Sequence, residues 1–205
     1  MISDEEYKKL LKQFHKLSDR HILVVETDMP YSDALKVVIL SDKIRKAGNE
    51  LVSFMRKNYD QLIRTKKYRK LLKLYGSTKD KKKRKDLADQ LNEMQKAYNV
   101  TWDYCRKSMI PIGKKYGIDA VFALTKAEDV WRGIEKCLYG NGKAIHFSKY
   151  GELPCIRAKQ INRGISISVK DDRLQFKLGK TAFGIQVNDR FQQDEADAVL
   201  TYLAE

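Results

Sequence analysis

Apolar residues recur every three or four positions from Ile44 to Met109, and this feature constrains the fold of the chain more than any other. Three to four residues is the period of a helix with one buried face. The run breaks at Gly76-Ser77-Thr78, so it predicts a long helical hairpin over residues 42 to 109. Ser41 fits the N-cap position at its start, and Ile110-Pro111-Ile112-Gly113 is expected to end it.

Segments with strand character lie on both sides of this helical stretch. Leu35-Lys36-Val37-Val38-Ile39-Leu40 is β-branched and mostly apolar, and it predicts a short strand. After the hairpin, a capping-box pattern at Thr125 predicts a further helix that stops at Gly140. The apolar period then changes to two, and five short strands are predicted over 144–147, 155–159, 165–169, 174–178 and 183–187.

We therefore predict an α+β protein, in which a small antiparallel β-barrel or curled sheet carries a long helical hairpin insertion with a basic tip. A lone strand cannot satisfy its backbone hydrogen bonds, so the strand at 35–40 needs the strands that follow the insertion. Four parts of the chain are predicted. Residues 1–34 form an N-terminal helix and strand without an assigned role, and residues 35–40 with 143–190 form the barrel. Residues 41–142 form the helical lobe, and residues 191–205 form a C-terminal helix.

Positive charge is concentrated in one segment of the chain. The net charge of the 205 residues is +14, and residues 64–85 hold 12 basic residues against one acidic residue. The residues before and after this segment are nearly neutral overall. Such a local excess is typical of a protein that binds a polyanion.

The predicted nucleic-acid-binding residues are the cations of this basic segment and two tyrosines among them that would stack on bases. They are Arg64, Lys66, Lys67, Tyr68, Arg69, Lys70, Lys73, Tyr75, Lys81, Lys82, Lys83, Arg84 and Lys85. The alternative is a solvated helix surface without a partner. A second predicted set lies in the barrel, where alternate residues of a strand would share one face. It consists of Arg157, Lys159 and Arg163, for which ordinary polar alternation is the alternative.

No catalytic site, metal site or cofactor is predicted. Cys105, Cys137 and Cys155 are too widely spaced for a zinc ribbon or a disulfide framework. Gly117-Ile118-Asp119 resembles the start of an RNase H-type nuclease site, but no apolar strand precedes it. We expect Asp119 instead to cap a helix that begins near Val121. Without a signal peptide or a long apolar run, a cytoplasmic location is expected.

Four short stretches resemble the N-terminal half of the transposon-encoded RNA-guided nucleases of the TnpB/OrfB type and of their relatives, the type V CRISPR effectors. They are residues 35–40, 47–51, 153–159 and 174–179. The resemblance implies a wedge-like β-barrel with an inserted recognition lobe, which in that family grips the guide-RNA scaffold and helps to read a short motif beside the DNA target. The family's RuvC nuclease domain has no counterpart in this sequence, so no catalytic residue carries over.

Together these observations predict a non-catalytic module that binds guide-type RNA and an RNA–DNA duplex through backbone geometry. The expected partners are RNA and DNA, with a separate nuclease domain or chain as a further candidate, and no membrane. Two other hypotheses stay open. In the first hypothesis, the basic helices dock on an acidic protein. In the second, the chain is a metal-dependent nuclease with an unrecognised site.

Overall fold

The chain is mainly helical, with a small sheet, and is α+β at this level. The computed structural model describes residues 26–28, 30–140, 142–158, 164–170, 173–179 and 181–186. The elements within them are β1 (Glu26–Asp28), α1 (Tyr31–Arg64), α2 (Lys66–Ser77), α3 (Lys81–Ala97), α4 (Trp102–Tyr116), α5 (Ala120–Tyr139), β2 (Ile165–Lys170), β3 (Arg173–Leu178) and β4 (Thr181–Gln186). The helices predicted near the two chain ends, and residues Lys159 and Arg163, lie outside the described residues.

The chain divides into two compact units. The first contains residues 1–28, 168–175 and 183–205, and in it β1 pairs antiparallel with β4, with Thr27 opposite Ile185. The second contains residues 29–167 and 176–182, and it holds all five described helices. The strands follow the order β1-β4-β3-β2 in their sheet.

The core of the helical unit lies where α1, α4 and α5 pack against one another. Each helix presents apolar residues at helical spacing, and Leu51, Met55, Met109 and Ile134 are almost completely buried. The other two helices, α2 and α3, pack on each other, and α2 also contacts α1. Of the described helices, none is long and apolar enough to cross a membrane.

The strand predicted at Leu35–Leu40 is wrong, because these residues belong to α1. The apolar pattern that starts at Ile44 already favours a helix, and extending it backwards adds one hydrogen bond per residue without a new nucleation step. The low helix propensity of Val37, Val38 and Ile39 opposes this by only about 0.5 kcal/mol per residue. The upstream strand that pairs with a strand beyond the helices is instead Glu26–Asp28.

Several predicted helix ends are also corrected. Ser41 is buried inside α1, where its Oγ donates to the carbonyl of Pro154 at 2.9 Å instead of capping. Pro111 lies inside α4, which continues to Tyr116 and is capped by Gly117 with a φ of 62°. Burial of Met109 and Ile112 against the neighbouring helices outweighs the hydrogen bond that proline removes.

Of the remaining helix boundaries, two differ from expectation and two agree with it. The predicted continuous helix to residue 109 is split between α3 and α4, where Asn99 adopts a φ of 57°. The capping box at Thr125 does not begin a helix, because Thr125 lies within α5. Asp119 caps α5 by accepting a hydrogen bond from the Val121 amide at 3.0 Å, as predicted, and Gly140 follows its end.

Three of the five downstream strands are confirmed over their described residues, namely those at 165–169, 174–178 and 183–186. The segments 144–147 and 155–158 are not strands. Side chains of the helices instead bind backbone groups within or next to these segments. The Thr125 hydroxyl donates to the Arg157 carbonyl at 3.1 Å, and Asn49 binds both the amide and the carbonyl of Ser148 at 2.9 Å.

Candidate nucleic-acid interface

The basic segment 64–85 spans the end of α1, all of α2 and the start of α3. In α2, Tyr68 and Leu71 are buried on the side that packs against the neighbouring helices. Lys66, Lys70 and Lys73 are four and three positions apart, so they share the opposite, solvent-exposed face. The amphipathic pattern of α2 therefore places its cations together on one exposed surface.

A buried polar network holds α2 and α3 to the end of α5. The side chain of Gln95, only 4% exposed, donates from Nε2 to the Tyr68 hydroxyl at 3.2 Å. Its Oε1 accepts a hydrogen bond from the Tyr139 hydroxyl at 2.7 Å. Burial raises the pKa of Tyr68, and the hydrogen bond from Gln95 opposes this rise. The network thus satisfies polar groups inside the helix interface and fixes how α2 and α3 sit on α5.

The predicted stacking role of Tyr68 is wrong, because its ring is 1% exposed and packs in the core. A base could reach this ring only if α2 separated from its neighbours. Its helical spacing with Leu71 and Tyr75 is the signal for the buried position, since all three lie on the apolar side of α2. Tyr75, by contrast, is partly exposed.

The first turns of α3 carry five consecutive cations, Lys81 to Lys85, all of them exposed. The first turn contains no acidic residue, although the N-terminus of a helix carries partial positive charge. Asp80, the N-cap, accepts hydrogen bonds from the amides of Lys82 and Lys83 at 2.9 and 3.3 Å. The cations of the first turn are unfavourable for the isolated helix, and a bound anion would relieve their repulsion, whereas the Asp80 cap offsets part of this cost.

The cations of the basic segment lack acidic partners. Within the described part of the chain, none of the 12 basic residues of 64–85 forms an ion pair. Many described cations elsewhere do hold carboxylates: Lys36, Arg45, Lys46, Arg56, Lys96, Arg106, Lys107, Lys115 and Arg157. The basic segment therefore leaves its charge available to a partner.

A cleft of about 360 Å³ opens beside these cations, between α2, α3 and the end of α5. The Arg84 guanidinium lies over the Tyr75 ring, 4.7 Å from its centre. Leu72 and Tyr139 also line the cleft, and Tyr139 is 60% exposed. A partly exposed aromatic ring with an arginine over it is a surface on which a nucleobase can stack. Sequence inspection missed Tyr139, since its position next to Gly140 marks only a helix end.

The second predicted set is not brought together on a strand face. Residues 155–158 are not a strand, so the expected shared face of Arg157 and Lys159 is wrong in its geometry. Arg157 is exposed and forms an ion pair with Asp129 of α5. Its charge is therefore neutralised within the protein, in contrast to the charges on α2 and α3.

Comparisons with known proteins yield no match to this chain among family models, curated proteins or solved structures.

Proposed function

We propose that this protein is a non-catalytic nucleic-acid-binding module, and that α2 and α3 form a helical hairpin with a basic tip that binds the phosphate backbone of RNA. One observation carries the proposal: the cations of residues 64–85 are exposed and without acidic partners in the described structure. Lysine and arginine side chains that meet phosphates release condensed counterions, which is the main source of such binding.

The cost of this charge arrangement supports a polyanionic partner. Lys81 to Lys85 repel one another, and those in the first turn of α3 also oppose its helix dipole, each at about 0.3–1 kcal/mol at low salt. Phosphates bound along this surface would remove the repulsion. A solvated surface without a partner would carry the same cost with no compensation.

The cleft at Tyr75 favours nucleic acid over an acidic protein as the partner. An acidic peptide would need cations alone, whereas the aromatic ring under Arg84 offers stacking to an unpaired base. The sequence resemblance to RNA-guided nucleases makes a folded guide-type RNA, alone and paired with DNA, the first ligand to test. In an RNA–DNA duplex the same cations would follow the backbone without reading sequence.

The test is a salt titration of RNA binding with two variants of equal charge change. The first replaces Lys66, Lys67, Arg69, Lys70 and Lys73 of α2 with Gln. The control replaces five exposed helical cations elsewhere, also four lysines and one arginine: Lys43, Lys57, Lys107, Lys114 and Arg132. Gln has nearly the helix propensity of Lys and Arg, so both variants should keep their circular dichroism spectra.

The α2 variant should lose binding similarly for RNAs of different sequence. If each of the five cations meets a phosphate, the slope of log affinity against log salt should become shallower by about 3 to 4 units. The control variant should keep the slope within about one unit. Equal effects of the two variants would show that net charge alone attracts RNA. Tighter binding of polyglutamate than of RNA at the same salt concentration would favour the acidic-protein alternative.

A further inference from the structure

A second polar cleft, distinct from the basic helices, lies between α1, α5 and the segment 142–148. It has a volume of about 370 Å³, within the range of small-ligand sites. The cations Lys126, Lys136 and Lys143 line it, together with His146. Of the described residues that line it, Asp129 alone carries a carboxylate.

The position of Lys126 depends on a glycine in the facing helix. The Lys126 side chain crosses α1 at Gly48, where an added Cβ would lie 2.3 Å from Lys126 Cε and 3.1 Å from its Cγ. Alanine at position 48 would therefore displace this side chain. The pair Gly48 and Lys126 thus forms a fitted contact that holds a half-buried lysine against the cleft.

The wall opposite α5 is also held in place. Asn49, the residue after Gly48, accepts a hydrogen bond from the Ser148 amide and donates one to the Ser148 carbonyl, both at 2.9 Å. Ile145 of the same segment is buried at 5% exposure. These contacts fix residues 142–148 without a strand, so the cleft has defined walls.

The charge of Lys126 is not neutralised by a neighbouring carboxylate. Asp129 is one turn away on α5, but it forms its ion pair with Arg157. Among the described residues, Lys126 has no hydrogen-bonding or ion-pair partner. Burial lowers the pKa of Lys126, Asp129 opposes this shift, and the Arg157 charge adds to it. An anion in the cleft would stabilise the ammonium form.

We propose that this cleft is an anion-binding site that takes a phosphate group, with Lys126 as its central ligand and Lys136 and Lys143 beside it. Three cations around one uncompensated space suit a phosphate dianion better than a single carboxylate. The site is separate from the surface of α2 and α3, and it does not depend on the function proposed for that surface. Two sources have the required chemistry, namely a small phosphorylated compound and a backbone phosphate of nucleic acid.

The first measurement is the acetylation rate of Lys126 in the folded protein, followed by mass spectrometry with a succinimidyl acetate reagent. Inorganic phosphate or pyrophosphate, at roughly ten times its dissociation constant, should slow the labelling of Lys126 about tenfold. The exposed Lys57, which lies outside the cleft, should label at an unchanged rate. No protection of Lys126 by either anion up to tens of millimolar would overturn the proposal.

Variants separate a specific site from general charge attraction. Lys126→Gln should abolish pyrophosphate binding measured by calorimetry. Gly48→Ala removes no charge but displaces the Lys126 stem, so it should weaken binding at least fivefold. Gly76→Ala is the matched control, because an added Cβ there meets nothing within 4 Å and Gly76 does not line this cleft. Wild-type affinity in the folded Lys126→Gln or Gly48→Ala variant would contradict the proposed site.

The source of the phosphate is distinguished by adding RNA to the labelling experiment. If a folded RNA also protects Lys126, and the five-residue α2 variant loses that protection while pyrophosphate still protects, the cleft holds a backbone phosphate of the bound RNA. If pyrophosphate protects and RNA does not, the ligand is a small phosphorylated compound. Protection by RNA without protection by pyrophosphate would contradict a phosphate site and would leave the function proposed for α2 and α3 untouched.

Discussion

Replacing Gln95 with Met should destabilise the helical unit by about 2 to 3 kcal/mol. Met keeps the length and packing of the side chain but cannot reproduce the hydrogen bonds to Tyr68 and Tyr139. The Tyr68 hydroxyl would be left buried without its partner, at about 1–3 kcal/mol. The Tyr139 hydroxyl adds less, because this side chain is 60% exposed and can turn to water. For a chain of this size the melting temperature should fall by about 5–10 °C.

The assay is urea unfolding of single and double variants. Gln95→Met should shift the midpoint without changing the slope. Adding Tyr68→Phe removes both partners of the buried hydrogen bond, so the double variant should be more stable than the sum of the single effects predicts, by about 1 kcal/mol or more. A Gln95→Met effect below about 0.5 kcal/mol, or strict additivity, would refute the view that this network anchors α2 and α3.

Two further predictions concern the start of α3 and the thiols. Asp80→Ala should lower stability by about 1 kcal/mol through loss of the cap, whereas Asp80→Asn should keep most of it; equal losses in urea unfolding would contradict the capping role. Both variants should bind RNA more tightly at low salt, since each removes the one carboxylate of the basic segment. Burial raises the pKa of Cys105 to about 12, so a thiol reagent at pH 8 should modify the exposed Cys155 and spare Cys105 while the fold is intact. Mass spectrometry of the labelled peptides measures this, and early modification of Cys105 would show that the core of α1, α4 and α5 opens readily.

The candidate interface was recognisable in the sequence as a concentration of charge, because clustering along the chain survives folding whenever the segment forms exposed helices. Of the two tyrosines predicted to stack on bases, only Tyr75 is exposed enough to do so. Tyr68 and Tyr75 look alike in the sequence, yet Tyr68 packs against Gln95 while Tyr75 lies beside Arg84 at the surface. Which tyrosine is buried depends on how α2 packs against α3 and α1, and local sequence contains no information on that packing.

Local sequence was sufficient to predict a helix, a strand or a helix end wherever interactions between residues close in the chain determine it. The helical apolar period, the Asp119 cap, the stop at Gly140 and the alternating period of β2 to β4 all act over a few residues, and each was predicted. Tertiary packing decided the rest. It retained Pro111 inside α4 by burying Met109 and Ile112, whereas Leu35–Leu40 became helical because the cooperative growth of α1 outweighed their strand propensity. The Lys126 cleft exists because α5 crosses α1 at Gly48, where the missing Cβ leaves room for a lysine stem from a residue far away in the chain.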